Sequence, residues 1–209
     1  MIINISGTGG SGKSTLVRRV MDCYDTVKPI FIEGRKRPFS YVCLRENGNN
    51  LWVPGHYETA CGGGDTLSTF PNYLDSLYGF IRSAHNEKQD VMYEGLLVES
   101  DVRRCAELKR DGFPVLVLSL STDLETCLSS TVQRRLAKGN TKPLNPKNTK
   151  GRWRQVRFRI DRLKGHGIEA IFLSRDEMFE ECKKRLNLPM ECFPTIRSDA
   201  PTGRLGPTL

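Results

Sequence analysis

The residues Gly7-Thr8-Gly9-Gly10-Ser11-Gly12-Lys13-Ser14 spell G-x-x-x-x-G-K-[ST] in full. Glycines let backbone amides converge on phosphate oxygens, and the start of a following helix adds favourable partial charge. Lys13 is placed to reach the β- and γ-phosphates of a nucleoside triphosphate, and Ser14 to ligate Mg²⁺. With Thr15, these residues form the expected nucleotide cradle, and ATP with Mg²⁺ are the expected cofactors. The stretch also spells G-x-G-x-x-G through Gly7, Gly9 and Gly12, with Glu33 about 20 residues on, as in a dinucleotide fold. That reading leaves Lys13 and Ser14 without a task, so it is set aside.

The second chemical feature is charge. The 209 residues carry 32 Lys+Arg against 24 Asp+Glu, a formal net charge of +8. Twelve of the basic residues lie between Arg134 and Lys164, where Asp161 is the one acid. That segment is +11 and the remainder −3, so a polyanionic partner is expected at one place. The 7 cysteines show no C-x-x-C pair and the 3 histidines are scattered. This excludes a zinc site or a disulfide framework and predicts reduced thiols in a cytoplasm. No apolar run approaches the roughly 20 residues a membrane helix needs, and Met1 leads straight into the strand-like Ile2–Ile5, so neither membrane span nor leader is expected.

Short apolar runs alternating with helical patterns must position this chemistry. Strands are expected at 2–6, 30–32, 91–93, 115–118 and 168–173. Helices are expected at about 12–23, 71–86, 101–110, from 123 (capped by Thr122 or Asp123), at 152–164 and at 175–186. Tyr41–Leu44 and Leu51–Val53 flank Asn47-Gly48-Asn49-Asn50, a hairpin signal. Residues 139–151, with two glycines and two prolines, read as a mobile loop. The prediction is a three-layer α/β/α domain over residues 1–187, with a parallel sheet of about five strands, a β-hairpin insertion and a basic lid at about 134–164. An extended tail at 188–209 completes it.

There is no N-K-x-D for a GTPase, and the strand 91–93 ends on the single acid Glu94 rather than the paired acids of a motor ATPase. The phosphate loop, Glu33, Glu94, and a lid running from Ser121-Thr122-Asp123 into Arg134-Arg135 resemble the P-loop nucleoside and nucleotide kinase family. Strand C-termini line the site in such sheets, so Glu94 is expected to support Mg²⁺. Phosphoryl transfer also needs a base for the attacking hydroxyl. The resemblance implies Glu33, which reads equally as an exposed charge. Asp65, after Gly62-Gly63-Gly64, is the rival base and reads equally as a helix cap. Arg134 or Arg135 is expected to clamp the transferring phosphate; neighbours on a helix diverge by about 100°, so one fits better than both.

Basic and aromatic residues mix at Lys150, Arg152, Trp153, Arg154 and Arg157, as suits a nucleic-acid strand; a solvated helix face competes. Arg35 and Arg37 extend the positive surface on the acceptor side, and Tyr57 is placed to stack on a base. Along the whole chain, the loop from residue 7, Gly55-His56-Tyr57, Gly62–Asp65, Glu94-Gly95-Leu96-Leu97 and the basic lid look like the phage DNA-modifying kinases. That resemblance implies an acceptor: the hydroxymethyl group of 5-hydroxymethyluracil in DNA, reached by taking the base out of the stack. A small-molecule nucleoside kinase and a nucleic-acid-binding ATPase are the alternatives.

Overall fold

A computed structural model of the chain describes residues 1–59, 62–68, 72–95 and 101–192, and the strand at 196–197. The strands are β1 (Ile2–Ser6), β2 (Thr26–Ile30), β3 (Ser40–Leu44), β4 (Leu51–Pro54), β5 (Asp90–Glu94), β6 (Val115–Leu120), β7 (Glu169–Leu173) and β8 (Ile196–Arg197). The helices are α1 (Lys13–Met21), α2 (Tyr73–Asn86), α3 (Val102–Arg110), α4 (Leu124–Leu136), α5 (Pro146–Gly165) and α6 (Arg175–Leu186), with a 3₁₀ turn at Gly64–Leu67. The described strands form one sheet in the order β7-β6-β1-β5-β4-β3-β2-β8. The expected α/β/α layering is present.

The five strands β7, β6, β1, β5 and β4 are consecutive and parallel, while β3 runs antiparallel to both β4 and β2. The hairpin is part of the main sheet. Its second strand takes the fifth parallel place, and β2 is displaced three positions beyond β5. At 4.7–4.9 Å per strand that is about 14 Å. Alternation along β1 builds both cores. Ile3 and Ile5 pack under α1 and α6, while Ile2 packs under α2, α3 and α5.

Helix ends follow from local chemistry. Asp123 caps α4 by accepting from the Thr126 amide at 2.7 Å. Ser174 and Glu177 form a capping box on α6. Asn145 caps α5, with Pro146 in its first turn, so the basic helix begins six residues before the expected 152 and shortens the loop.

Two expectations change here. Cys23, at the end of α1, is disulfide-bonded to Cys192, whereas reduced thiols were expected throughout. The chain leaving α6 turns back beside α1, and Lys183 donates to the Met190 carbonyl at 3.0 Å in that turn. A pair 169 residues apart has no local spacing signal. Cys43, Cys105, Cys127 and Cys182 are free and buried, and Cys61 lies outside the described residues. Within the expected tail, Leu188 is buried and Ile196–Arg197 pairs in parallel with β2; residues 193–195 and 198–209 lie outside the described residues. No described helix is long and apolar enough to cross a membrane.

Candidate active site

The C-terminal ends of β1 and β5 open onto a cavity of about 760 Å³. Its walls come from the phosphate loop (Thr8, Gly9, Gly10, Gly12, Lys13, Ser14, Thr15), from Gly62 and Asp65, from Glu94, from α4 and from Arg175. The loop follows β1 directly and feeds α1, whose start is bare of acidic residues. Gly10 has φ +85, and a side chain there would collide with the Cys127 carbonyl of α4, so only glycine lets the loop pass. Thr122 ties the loop to the β6 end by donating to the Ser11 carbonyl at 3.1 Å.

Lys13 is buried, and its Nζ donates to the Gly7 carbonyl at 2.5 Å. The ammonium is thus folded back over the cradle. Ser14 Oγ donates to Glu94 Oε1 at 2.6 Å, which brings the two expected metal-supporting oxygens together across 80 residues of sequence. Hard oxygen donors of this kind suit Mg²⁺. Glu94 is 2 % exposed, and a side chain at Gly63 would collide with its carboxylate. Gly63 is held there by an isolated bridge to His56, with its amide donating to the His56 carbonyl at 3.1 Å. Asp65 lies one residue into the 3₁₀ turn that follows, its Oδ1 packed on Gly95. The glycine cluster therefore lets two carboxylates, Asp65 and Glu94, approach the phosphate loop side by side.

Arg134 lines the cavity, joined by Ser130, Gln133 and Lys138 from the same helix and the residues after it. Arg135 points elsewhere, its Nη2 donating to Asn140 Oδ1 at 3.3 Å. Glu33 is exposed and is absent from the cavity wall, because β2 lies at the far side of the sheet. Arg175, missed in the sequence, packs over Gly12. Its signal was available: Ser174 and Glu177 mark a helix start at the end of β7, which places Arg175 on the site edge of the sheet. Arg18 was also missed; it anchors the acceptor-side loop by donating to the carbonyls of Tyr57 (2.8 Å) and Thr59.

Tyr57, expected to stack on a base, has no exposed face. It is 2 % exposed, lies in the core and meets the Tyr41 ring edge-on at 6.1 Å. Burial, then Glu94, drives its hydroxyl well above the usual phenol range. Trp153 is half-buried; its indole N–H donates to the Thr122 carbonyl at 3.1 Å and Arg157 stacks on its face at 3.8 Å. It fastens α5 to the site edge instead of offering a platform. Lys150, Arg152, Arg154 and Arg157 are exposed. Arg159 is not: it is 6 % exposed and donates to Ser6 Oγ and Asn4 Oδ1 at 3.1 Å each, so it belongs to the interior of the domain.

The acceptor side has its own geometry. Arg35 donates to the Thr66 carbonyl at 2.9 Å, and Arg37 donates to His56 Nε2 at 3.2 Å. Burial, then Arg37, Arg35 and Arg18, lowers the His56 pKa below its ordinary 6.5. Next to this cluster an apolar cavity of about 220 Å³ is walled by Ile32, Phe39, Leu67, Tyr73, Leu77 and Phe80. Phe39 and Phe80 meet edge-on at 5.3 Å. The Tyr73 hydroxyl is pushed up to about 12 by burial and by the charges of Asp65 and Asp101, so it stays a neutral donor. Leu96 and Leu97 lie outside the described residues.

A phosphate loop at the end of a parallel strand, a serine–glutamate pair suited to a metal, and a cationic helix across the cavity define a P-loop kinase. No known family model matches the chain. It is 41% identical over 186 residues, 88% of its length and 96% of the relative's, to a 5-hmdU DNA kinase of Pseudomonas phage PaMx11. A 5-hmdU DNA kinase of Delftia phage PhiW-14 is 24% identical over 204 residues, 89% of this chain and 72% of that one. The chain belongs to the 5-hmdU DNA kinase family. Among solved structures, a deoxyadenosine kinase from M. mycoides with bound dATP aligns with a TM-score of 0.40 at 15% identity, covering 90% of this chain and 100% of that one.

Proposed function

We propose that this enzyme transfers the γ-phosphoryl group of ATP to the 5-hydroxymethyl oxygen of 5-hydroxymethyldeoxyuridine in DNA. The observation that carries the reading is one cavity shared by the phosphate loop, the Ser14–Glu94 pair, Asp65 and Arg134. Membership of the 5-hmdU DNA kinase family supports this choice of acceptor.

The loop amides and Lys13 hold the β- and γ-phosphates, and Ser14 and Glu94 would hold Mg²⁺. When bound, the ion supplies positive charge to the phosphate oxygens. Asp65 accepts the hydroxyl proton as the acceptor oxygen forms its bond to γ-phosphorus. The bond from γ-phosphorus to the bridging oxygen breaks, and ADP leaves with that oxygen. Arg134 neutralises charge on the transferring group. The apolar cavity walled by Phe39, Tyr73 and Phe80 suits one base taken out of the stack, with Leu67 two residues from Asp65. Arg35 and Arg37 suit the flanking phosphates.

The test is an acceptor competition with γ-labelled ATP. Modified DNA, unmodified DNA and free nucleosides are offered in parallel. Label in modified DNA alone is expected. Label in free nucleoside without label in modified DNA returns the chain to small-molecule phosphorylation, and hydrolysis with no labelled acceptor makes it an ATPase.

A further inference from the structure

The twelve cations of the 134–164 segment do not form one surface. Arg159 is interior, and Arg162 lies about 140° round the helix from Arg157 at 3.6 residues per turn. Arg162 faces α3. Between α3 and α5 runs a groove of about 350 Å³ lined by Arg103, Lys109, Arg110, Arg162 and His166, with Glu107 the one acid in its wall. Glu107 is committed to Arg103 at 2.9 Å. The neighbouring Arg104 is neutralised by Asp75 at 2.5 Å and by Asp101, and turns out of the groove. Among the described residues, Lys109, Arg110 and Arg162 form no ion pair, and all are exposed.

Three cations with no acid paired to them repel one another, and that arrangement is complementary to negative charge on a partner. The length of the groove bears on how much of a strand it can hold. From Val102 to Arg110 the helix rises about 12 Å. That length spans a few consecutive phosphates of one strand.

The position of the groove is as informative as its charge. α3 follows β5, whose last residue is Glu94, and α5 precedes β7. Both helices lead from the site edge of the sheet to the opposite edge, where β6 and β7 begin. Lys109, Arg110 and Arg162 lie in the last turns of their helices, so the groove's cations gather at the edge of the sheet away from the catalytic cavity.

We infer that the α3–α5 groove is a second DNA contact, holding the backbone of one strand away from the reacting base through Lys109, Arg110 and Arg162. This rests on DNA being the acceptor. It predicts that the enzyme grips its polymer at a place free nucleosides do not reach.

The experiment measures binding of a 5-hydroxymethyluracil-containing duplex, and separately its steady-state phosphorylation, across a salt series. Lys109→Gln/Arg110→Gln/Arg162→Gln is compared with the wild type and with Lys28→Gln/Lys88→Gln/Lys184→Gln, which removes equal charge elsewhere on the exposed surface. The groove variant should lower the slope of log affinity against log salt by about 2 to 3, at roughly 0.9 per phosphate contact. Its KM for DNA should rise on the order of tenfold at moderate salt, while kcat at saturating DNA and KM for ATP hold. Arg162→Glu alone should move the slope in the same direction, which guards against misfolding of the triple variant. An unchanged slope, or an equal change in the control variant, overturns the groove. A wild type that binds DNA with the expected slope but never phosphorylates it overturns the proposed acceptor and leaves the groove standing.

Discussion

Glu94→Gln separates the proposed metal role of the Ser14–Glu94 pair from its structural role. The amide has the shape of the carboxylate and can still accept from Ser14 Oγ, now 2.6 Å from Glu94 Oε1. A hydrogen bond to a charged partner contributes about 1.5–3 kcal/mol and a neutral one about 1 kcal/mol, so the fold loses at most about 2 kcal/mol. Relief of a buried charge offsets part of that, since Glu94 is 2 % exposed. For a chain of this size the melting temperature should fall by no more than about 8 °C. The effect on Mg²⁺ should be larger. Groups that orient metal ligands typically govern about 10- to 100-fold in metal affinity. The assay is a Mg²⁺ titration of the initial rate at saturating ATP and DNA. The midpoint should move 10- to 100-fold higher, with the rate partly restored at high Mg²⁺. An unchanged midpoint in a folded variant would refute the assignment of Glu94 to the metal.

Asp65→Asn should lower kcat by ~10²-fold or more, the usual scale of a general base, with KM for ATP little changed, whereas Glu33→Gln should stay within about twofold. The reverse order would restore Glu33 as the base. Arg134→Ala should cost about 10²–10³ in kcat and Arg135→Ala little, because only Arg134 lines the cavity; equal losses would contradict that division. His56 makes acid stability a further test. Its folded pKa is below the 6.5 of the unfolded chain, so the unfolded chain binds more protons in the window between. Its contribution is full above about pH 6.5 and is lost as pH falls toward the folded value. His56→Gln should flatten that part of the stability–pH curve in chemical denaturation, leaving the share of His85, which is lowered by burial and the N-terminal charge. An unaltered curve would show that burial and the neighbouring arginines do not lower His56.

Much of the site was legible because its parts are contiguous in sequence. The phosphate loop is eight residues read in order, and Glu94 follows a plain buried strand. Asp65 was legible as one of two readings because three glycines announce a close backbone approach. What failed depended on strand order. Glu33 follows β2 in sequence, but β4 pairs with β5 and moves β2 outward; nothing local in Ile30-Phe31-Ile32 encodes that exchange. Tyr57 and Trp153 failed for another reason. An aromatic beside charges reads as a platform until its burial is known, and both spend their faces on packing. Arg159 shows the same limit for charge, since a count of twelve cannot say which guanidinium turns inward to Ser6. Cys23 and Cys192 meet only through the tertiary return of the chain.

The most direct measurement is nucleoside analysis by mass spectrometry of 5-hydroxymethyluracil DNA digested after incubation with enzyme, ATP and Mg²⁺. The account predicts that the 5-hydroxymethyldeoxyuridine peak is replaced by a species heavier by a phosphoryl group carried on the base, and that Lys13→Ala abolishes it. An unmodified 5-hydroxymethyldeoxyuridine peak, or phosphate found only at the sugar or the strand end, would contradict it.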